Sequence, residues 1–406
     1  GCGSAIQIEQ ALCIALTFHY LCSLKGKEMK PKILLSYVHM SGTEKKWVDK
    51  ALQTEWIVPL GPEVDEFEHR LERYLDAPQV VALSAGTAAI HLALVALGVS
   101  EGDEVVCQSF TFAASANPVR YQGANPVFVD SEPDTWNMSP ACLEEAIIDR
   151  KRQTGRYPKA IISVSLYGMP AKMDEILAIG KRYGIPVVED AAEALGSEYK
   201  GRKCGTMGAY GCLSFNGNKV ITTSGGGALV CHTKEEAERV KFYATQAREP
   251  VPYYYHKVIG YNYRLSNVSA AIGCGQMDAL QEHVELRRAI HDFYTRELSG
   301  IAGVGVQQNP SPDFRSNFWL TTIAIDPSTG KTPEELRCHL LEAGIESRRL
   351  WRPMHMQPVY EAAPYYGGDC CERLFDIGLC LPSGSGLAEE ELHYVADNIK
   401  SFFEKK

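Results

Sequence analysis

Lys219 stands in the segment Ser214-Phe215-Asn216-Gly217-Asn218-Lys219, followed by Thr222-Thr223-Ser224-Gly225-Gly226-Gly227. A lysine just past an apolar run, set between polar residues and glycines, sits on a loop that a flat ligand can approach closely, because glycine carries no Cβ. Partial desolvation there makes a neutral amine available for bonding to a carbonyl carbon. A surface lysine beside a glycine-rich turn is the plainer alternative. The second candidate is Glu189-Asp190-Ala191-Ala192-Glu193, directly after the apolar run from Ile185 to Val188. A carboxylate at the end of a buried strand is costly to ionise unless it meets a cation. A protonated pyridine nitrogen is one such cation, and with the proton in place the ring draws electrons from the carbon to be deprotonated. An Asp capping a helix is the alternative; it loses ground because Lys219 follows one strand later.

The turn Ser84-Ala85-Gly86-Thr87 joins a strand-like run to an Ala/Leu-rich helix, and a helix N-terminus offers N–H groups to a phosphate. Ordinary capping explains such a turn equally simply, and no GxxxxGK[ST] occurs. In Phe110-Thr111-Phe112 a ring could stack on a planar cofactor or fill the core. The 11 His form neither HExxH nor a CxxC…HxxxH spacing, so no metal is expected. No GxSxG elbow supports a serine hydrolase.

These residues need strands that end at them. Between about residues 79 and 230, short apolar runs alternate with helix-like segments, the pattern of a mostly parallel sheet. Strands are predicted at Val80–Ser84, Glu104–Cys107, Pro126–Asp130, Ala160–Leu166, Pro186–Asp190, Gly211–Phe215 and Ala228–His232, with helices over Thr87–Leu97 and Lys234–Tyr243. Ligands in such sheets collect at the carboxyl ends of strands. One long helix is predicted from Met277 to Leu298, bridging into residues 316–403, where strands mix with helices Pro333–Ala343 and Glu389–Phe402. The expected division is an extension over residues 1–28 ahead of a natural start at Met29, a large cofactor-binding domain over 29–275, and the bridging helix with a smaller α+β domain over 276–406. A weakly ordered amphipathic helix is the alternative for the first segment.

The chain has 406 residues, an apolar fraction of 45% and a charged fraction of 22%, enough for a sizeable core. Its net charge of -9, with Lys and Arg scattered, excludes a nucleic-acid footprint. The 13 Cys are odd in number and lack paired CxxC modules, and Cys107, Cys212 and Cys231 lie in apolar runs. That suits a reducing cytoplasm. The apolar stretch from Ala11 to Cys22 is too short to span a bilayer.

Four motifs then occur in order: SAGTAAIHLAL, EDAAEALGS, SFNGNKVITTSGGG and GYNYRLSN. From about Lys32 to Phe402 the chain resembles the DegT/DnrJ/EryC1/StrS family of pyridoxal-phosphate-dependent nucleotide-sugar aminotransferases. The segments FYATQARE, LWRPMHMQPVY and LCLPSG resemble the transaminases of the UDP-N-acetylbacillosamine pathway. The resemblance implies an aspartate-aminotransferase-like (type I) fold with a mostly parallel seven-stranded sheet. It implies that Lys219 bonds to pyridoxal phosphate and carries the proton, that Asp190 faces the pyridine nitrogen, and that Glu193 lies near the ring hydroxyl and substrate. Ala85, Gly86, Thr87 and Ser214 match the phosphate cradle, and Phe112 the stacking ring. Asn267 matches a residue that reaches the phosphate from a neighbouring subunit, which implies a homodimer with a shared site. Tyr167, Arg264 and His355 fall in segments that touch sugar or nucleotide.

The implied reaction moves the amino group of L-glutamate to C4 of a 4-keto-6-deoxy sugar, UDP-linked and N-acetylated at C2. GDP-perosamine-type and dTDP-sugar aminotransferases share the same motifs, and a non-catalytic cofactor-binding regulator is the alternative of a different class. A related sugar 3-dehydratase carries His in place of the lysine, so Lys219 argues against it. Family members often show Gly-Glu-Gly-Gly where this chain has Ser224-Gly225-Gly226-Gly227.

Overall fold

A computed structural model describes residues 32–404. The expectation for residues 1–28 lies outside the described residues. Chain order gives β1 (Gln79–Leu83), β2 (Glu104–Gln108), β3 (Asn125–Val129), β4 (Ala160–Val164) and β5 (Val187–Asp190), then a short ribbon of β6 (Glu198–Tyr199) and β7 (Arg202–Lys203), then β8 (Tyr210–Ser214) and β9 (Gly227–Cys231). The large sheet runs β1-β9-β8-β5-β4-β2-β3. From β8 to β3 every pair is parallel, while β9 is antiparallel to both neighbours. β4 is buried at every position, as a central strand covered by helices on both faces must be.

The remaining strands are β10 (Val304–Val306), β11 (Phe314–Arg315), β12 (Thr322–Ile325), β13 (Arg348–Arg349), β14 (Tyr365–Tyr366) and β15 (Gly378–Cys380). β14 adds itself parallel to β3 and makes the large sheet eight-stranded rather than seven. A two-residue strand carries too little pattern to be seen in sequence. A second, antiparallel sheet has the order β10-β12-β15-β13. Helices Pro333–Glu342 and Glu389–Glu404 pack on it through Leu336, Leu340, Val395 and Ile399. Thr332 starts the first of these helices with a reciprocal capping box to Glu335.

The predicted helix from Met277 to Leu298 is two helices, Asn267–Met277 and Leu280–Leu298, separated at Asp278 and Ala279. The N-terminal stretch crosses the expected boundary at 275. Ile33 forms a parallel bridge to Ile345 and sits in the core of the C-terminal sheet. The exchange of Ile33 one way and β14 the other ties the two halves together, and the division at 275 stands as a proposal.

Candidate active site

β5 alternates its two carboxylates between opposite faces, as successive strand residues must. Glu189 turns away and accepts the Met207 N–H at 3.1 Å. Asp190 faces the other way, where its Oδ2 accepts from Ser115 Oγ at 2.6 Å and its Oδ1 accepts from the Ala192 N–H at 3.1 Å. Both are buried. Burial pushes the Asp190 carboxyl above its ordinary value, opposed by the Ser115 hydroxyl and the nearby Lys219 charge. Glu193, one turn on, is also buried and also pushed up by burial, opposed by Lys219. Its Oε2 accepts the Tyr167 N–H at 2.7 Å and its Oε1 lies 3.5 Å from Lys219 Nζ.

Lys219 follows β8 on a turn closed by its N–H donating to Asn216 O at 3.0 Å. The carbonyl of Asn218 is held from two sides, by Ser36 Oγ at 2.9 Å and Trp319 Nε1 at 2.7 Å. Nζ itself stands 3.9 Å from the centre of the Trp319 ring. A single half-buried amine thus meets the Glu193 carboxylate and an aromatic face, with the Asp190 carboxylate close enough to feel its charge.

The helix Gly86–Ala96 begins beside the end of β8 with no side chain capping its first turn. Its first N–H groups and positive dipole end are therefore unspent. A Cβ on Gly86 would come within 2.9 Å of Ser214 Cβ, and one on Gly227 within 2.4 Å of the Gly86 nitrogen. Two glycines let the helix start approach the strand ends this closely. The residues fit pyridoxal phosphate: an uncapped helix start for the phosphate, a buried carboxylate whose nearest cation is the lysine, and that lysine on the adjacent strand end. Ser214 is half-buried at the rim. Phe112 is 59% exposed with its ring centre 6.2 Å from that of Trp351, open to stacking.

Four predicted residues already hold partners within the chain. Asn267 is buried and spends its amide inside its own chain: Oδ1 accepts from the N–H groups of Glu63 and Val64, and Nδ2 donates to Trp56 O and Glu63 Oε2. No donor remains for a neighbour's phosphate. Arg264 Nη1 donates to Glu68 Oε1 at 2.7 Å and Ala82 O at 3.0 Å, fastening the end of β1. His355 bridges Ser109 Oγ at 2.7 Å and Glu372 Oε1 at 3.0 Å, stacked on Tyr365. Tyr167 is buried, and its hydroxyl accepts the Trp351 N–H at 2.8 Å. A resemblance places a segment near a site without telling which side chains are already paired.

Three contributors were missed. Ser115 lies one turn beyond Phe112 on the helix Ala113–Tyr121, so helical spacing could have pointed to it. Trp319 sits in a loop with no motif around it, and Trp351 lies within LWRPMHMQPVY, where the resemblance singles out His355 rather than the ring. Among the described residues, no group of three or more His, Cys, Asp or Glu could hold a metal, and no helix is long and apolar enough to cross a membrane.

The DegT/DnrJ/EryC1/StrS aminotransferase family model matches residues 39–400. EpsN of Bacillus subtilis, whose name assigns it provisionally to the pyridoxal phosphate-dependent aminotransferases, is 49% identical over 379 residues, 92% of this chain and 97% of its own. A GDP-perosamine synthase of Escherichia coli is 37% identical over 367 residues, covering 90% of this chain and 97% of its own. The crystal structure of a DegT DnrJ EryC1 StrS aminotransferase from Brucella abortus superposes with a TM-score of 0.84 at 31% identity, covering 90% of this chain and 96% of that one.

Proposed function

The chain belongs to the DegT/DnrJ/EryC1/StrS aminotransferase family, a pyridoxal-phosphate-dependent sugar aminotransferase of type I fold, and from that premise we propose that it transfers the amino group of L-glutamate to C4 of a 4-keto-6-deoxy nucleotide sugar. The observation that carries this reading is the group of half-buried Lys219 with buried Asp190 and Glu193 beside the uncapped start of the helix Gly86–Ala96. Pyridoxal phosphate, when bound, supplies a carbonyl carbon for the amine and a ring that takes up the electron pair of the deprotonated carbon. Lys219 is the amine that bonds to it and, once released, the base and acid that moves the proton. Asp190, its negative charge shared with Ser115 and the Ala192 N–H, keeps a proton on the ring nitrogen. Backbone N–H groups of Gly86 and Thr87 hold the phosphate, with Ser214 beside them, and Phe112 covers the ring. Glu193 stays close to the amine and orders Tyr167. Positioned proton transfer of this kind contributes about 10²–10⁴-fold.

The sugar is proposed to be UDP-linked and N-acetylated at C2, on the motif-level resemblance; the similarity to a GDP-perosamine synthase favours a GDP-linked second reading. A panel of 4-keto sugars linked to UDP, GDP and dTDP, supplied with glutamate and read by product mass and NMR, separates them. Product from the GDP-linked sugar alone moves the assignment to the second reading. Cofactor attachment without turnover on any of them leaves only a binding protein.

A homodimer is part of the proposal. Trp56, Ile57, Leu60, Tyr254 and Ile259 are large, apolar and exposed, surface that a subunit interface would cover. Asn267 ties the segment ahead of the helix Pro62–Leu75 to the helix Asn267–Met277, its N–H donating to Val58 O at 2.9 Å. Light scattering on the purified protein tests the state. A cytoplasmic location accords with the ten unpaired cysteines among the described residues.

A further inference from the structure

The surroundings of Lys219 Nζ hold a group that the transamination reading does not use. Trp319 lies outside every motif of the cofactor site, yet its ring centre is 3.9 Å from Nζ, while Glu193 Oε1, at 3.5 Å, is too far for a good hydrogen bond. The indole is fixed at three points. Its Nε1–H donates to Asn218 O at 2.7 Å, its backbone N–H donates to Asn317 Oδ1 at 2.8 Å, and its carbonyl accepts from Arg287 Nη1 at 2.7 Å. Arg287 is fully buried, its second nitrogen reaching Ser36 Oγ at 3.1 Å and Lys219 O at 3.5 Å. The residue before the indole, Phe318, holds a left-handed backbone at φ 47, a conformation that a non-glycine residue keeps only when its surroundings impose it. Ring and lysine backbone are thus built as one rigid unit.

We infer that Trp319 belongs to the catalytic apparatus: its ring face receives the Lys219 amine whenever that amine is released from the cofactor, and holds it there as an ammonium ion for the proton transfer. The inference rests on the transaminase reading of Lys219. When the donor's amine displaces it, Lys219 leaves as a neutral amine and takes the proton from the donor's α-carbon, whose C–H electron pair passes into the ring system. The resulting ammonium then returns that proton to the cofactor's carbon. During this interval the cation needs a partner that attracts it without competing for the proton. A carboxylate such as Glu193 can take the proton; the face of an indole attracts a cation through its quadrupole and has no lone pair to accept with.

The test starts with protein stripped of cofactor and reacted with an acylating reagent at fixed neutral pH, the Lys219 peptide being followed by mass. An amine held as ammonium on the ring is slow to react. Trp319→Leu is expected to label Lys219 about tenfold faster, and Trp319→Phe, which keeps a weaker ring face but loses the Nε1–H bond, to fall between it and the unaltered protein. In the glutamate half-reaction of the loaded enzyme, Trp319→Leu should be slower and show a larger effect of α-deuteration, with KM for glutamate little changed. Equal labelling of Trp319→Leu and the unaltered protein overturns the inference. So does Trp319→Phe matching Trp319→Leu, because the hydrogen bond to Asn218 then accounts for everything. Should Trp319→Leu not fold, Trp319→Phe decides alone: labelling about threefold faster supports the inference, and an unchanged rate overturns it. Borohydride reduction of the unaltered holoenzyme keeps the two levels apart. No cofactor mass on the Lys219 peptide removes the transaminase reading itself, whereas a clean adduct with unaltered labelling in the variants removes only the part given to Trp319.

Discussion

Asp190 and Glu193 reach the pocket from the end of a parallel sheet, whereas Trp319 and Trp351 reach it from loops well down the chain. The strand-end side supplies charge on short side chains whose positions the sheet register fixes, and every acceptor there is paired with an N–H, a hydroxyl or the lysine. The loop side supplies rings, with centres of Trp319 and Trp351 6.5 Å apart and Tyr167 5.4 Å from Trp351. Burying a charge costs far more than burying a ring, so the charged side demands the more rigid scaffold. Losses on the strand-end side, and at Trp319 whose ring faces the lysine amine, should therefore appear in turnover, and losses at Trp351 and Tyr167 in substrate fit.

The largest effect expected is from Lys219→Ala. Without the amine that bonds the cofactor and carries the proton, transamination should fall by about 10³-fold or more, measured as amino-sugar formed by NMR. The variant should still bind free cofactor, since Gly86, Thr87 and Asp190 are untouched. Normal turnover would sink the role given to Lys219. Next comes Asp190→Asn, which can still accept from Ser115 but brings no charge to a ring nitrogen. A fall of about 10²-fold in the glutamate half-reaction is expected, and a loss of only about twofold would mean that the ring has another partner.

A pH experiment sharpens the same contrast, because burial raises both pocket carboxylates, Asp190 and Glu193, on the strand-end side. Glu189, Asp190 and Glu193 are each pushed upward by burial in the cofactor-free protein. A carboxyl raised in the folded state binds its proton more tightly there than in the unfolded chain. Its contribution to stability is full below the unfolded value of about 4 and is lost as pH rises through the folded value. These three carboxyls should thus contribute less to the stability of the cofactor-free protein as pH rises from about 4 towards neutrality, against the opposite trend of His91, His283 and His291, whose values burial lowers. Cofactor, which offers Asp190 a cation, should offset part of that loss. Thermal unfolding with and without pyridoxal phosphate should show a gap in Tm that widens over this range; a gap that narrows contradicts the placement of Asp190.

The same contrast explains what was legible in the sequence. Asp190 and Lys219 announce themselves because each follows a short apolar run that can only be a buried strand, and strand ends are where such sheets bind ligands. Ala85, Gly86 and Thr87 were legible for the same reason. The loop side was not. Trp319 and Trp351 lie in irregular segments whose place depends on the packing of the whole C-terminal sheet, and β14 is a two-residue strand. Tyr167, Arg264, His355 and Asn267 are pointed to only by the family resemblance of their segments. Their partners, Trp351, Glu68, Glu372 and Glu63, are brought to them only by the fold. Long-range pairing of this kind leaves no local pattern.

Tyr167 joins the two sides and so offers the finest cut between them. Its backbone N–H donates to Glu193 on the charged side, and its hydroxyl accepts from the Trp351 N–H on the ring side. The residue holds a left-handed backbone at φ 55 to make both contacts, at a cost of about 1–3 kcal/mol. Tyr167→Phe removes only the second contact and leaves the carboxylates as they were. An orphaned backbone N–H costs about 1–3 kcal/mol, and Trp351 escapes that cost by shifting, which alters the wall of the pocket. The expected outcome is a rise in KM for the nucleotide sugar of about threefold to tenfold, with the glutamate half-reaction nearly unchanged. Loss concentrated in the glutamate half-reaction instead would show that Tyr167 and Trp351 serve the chemistry as Trp319 does, and their assignment to substrate fit would fail.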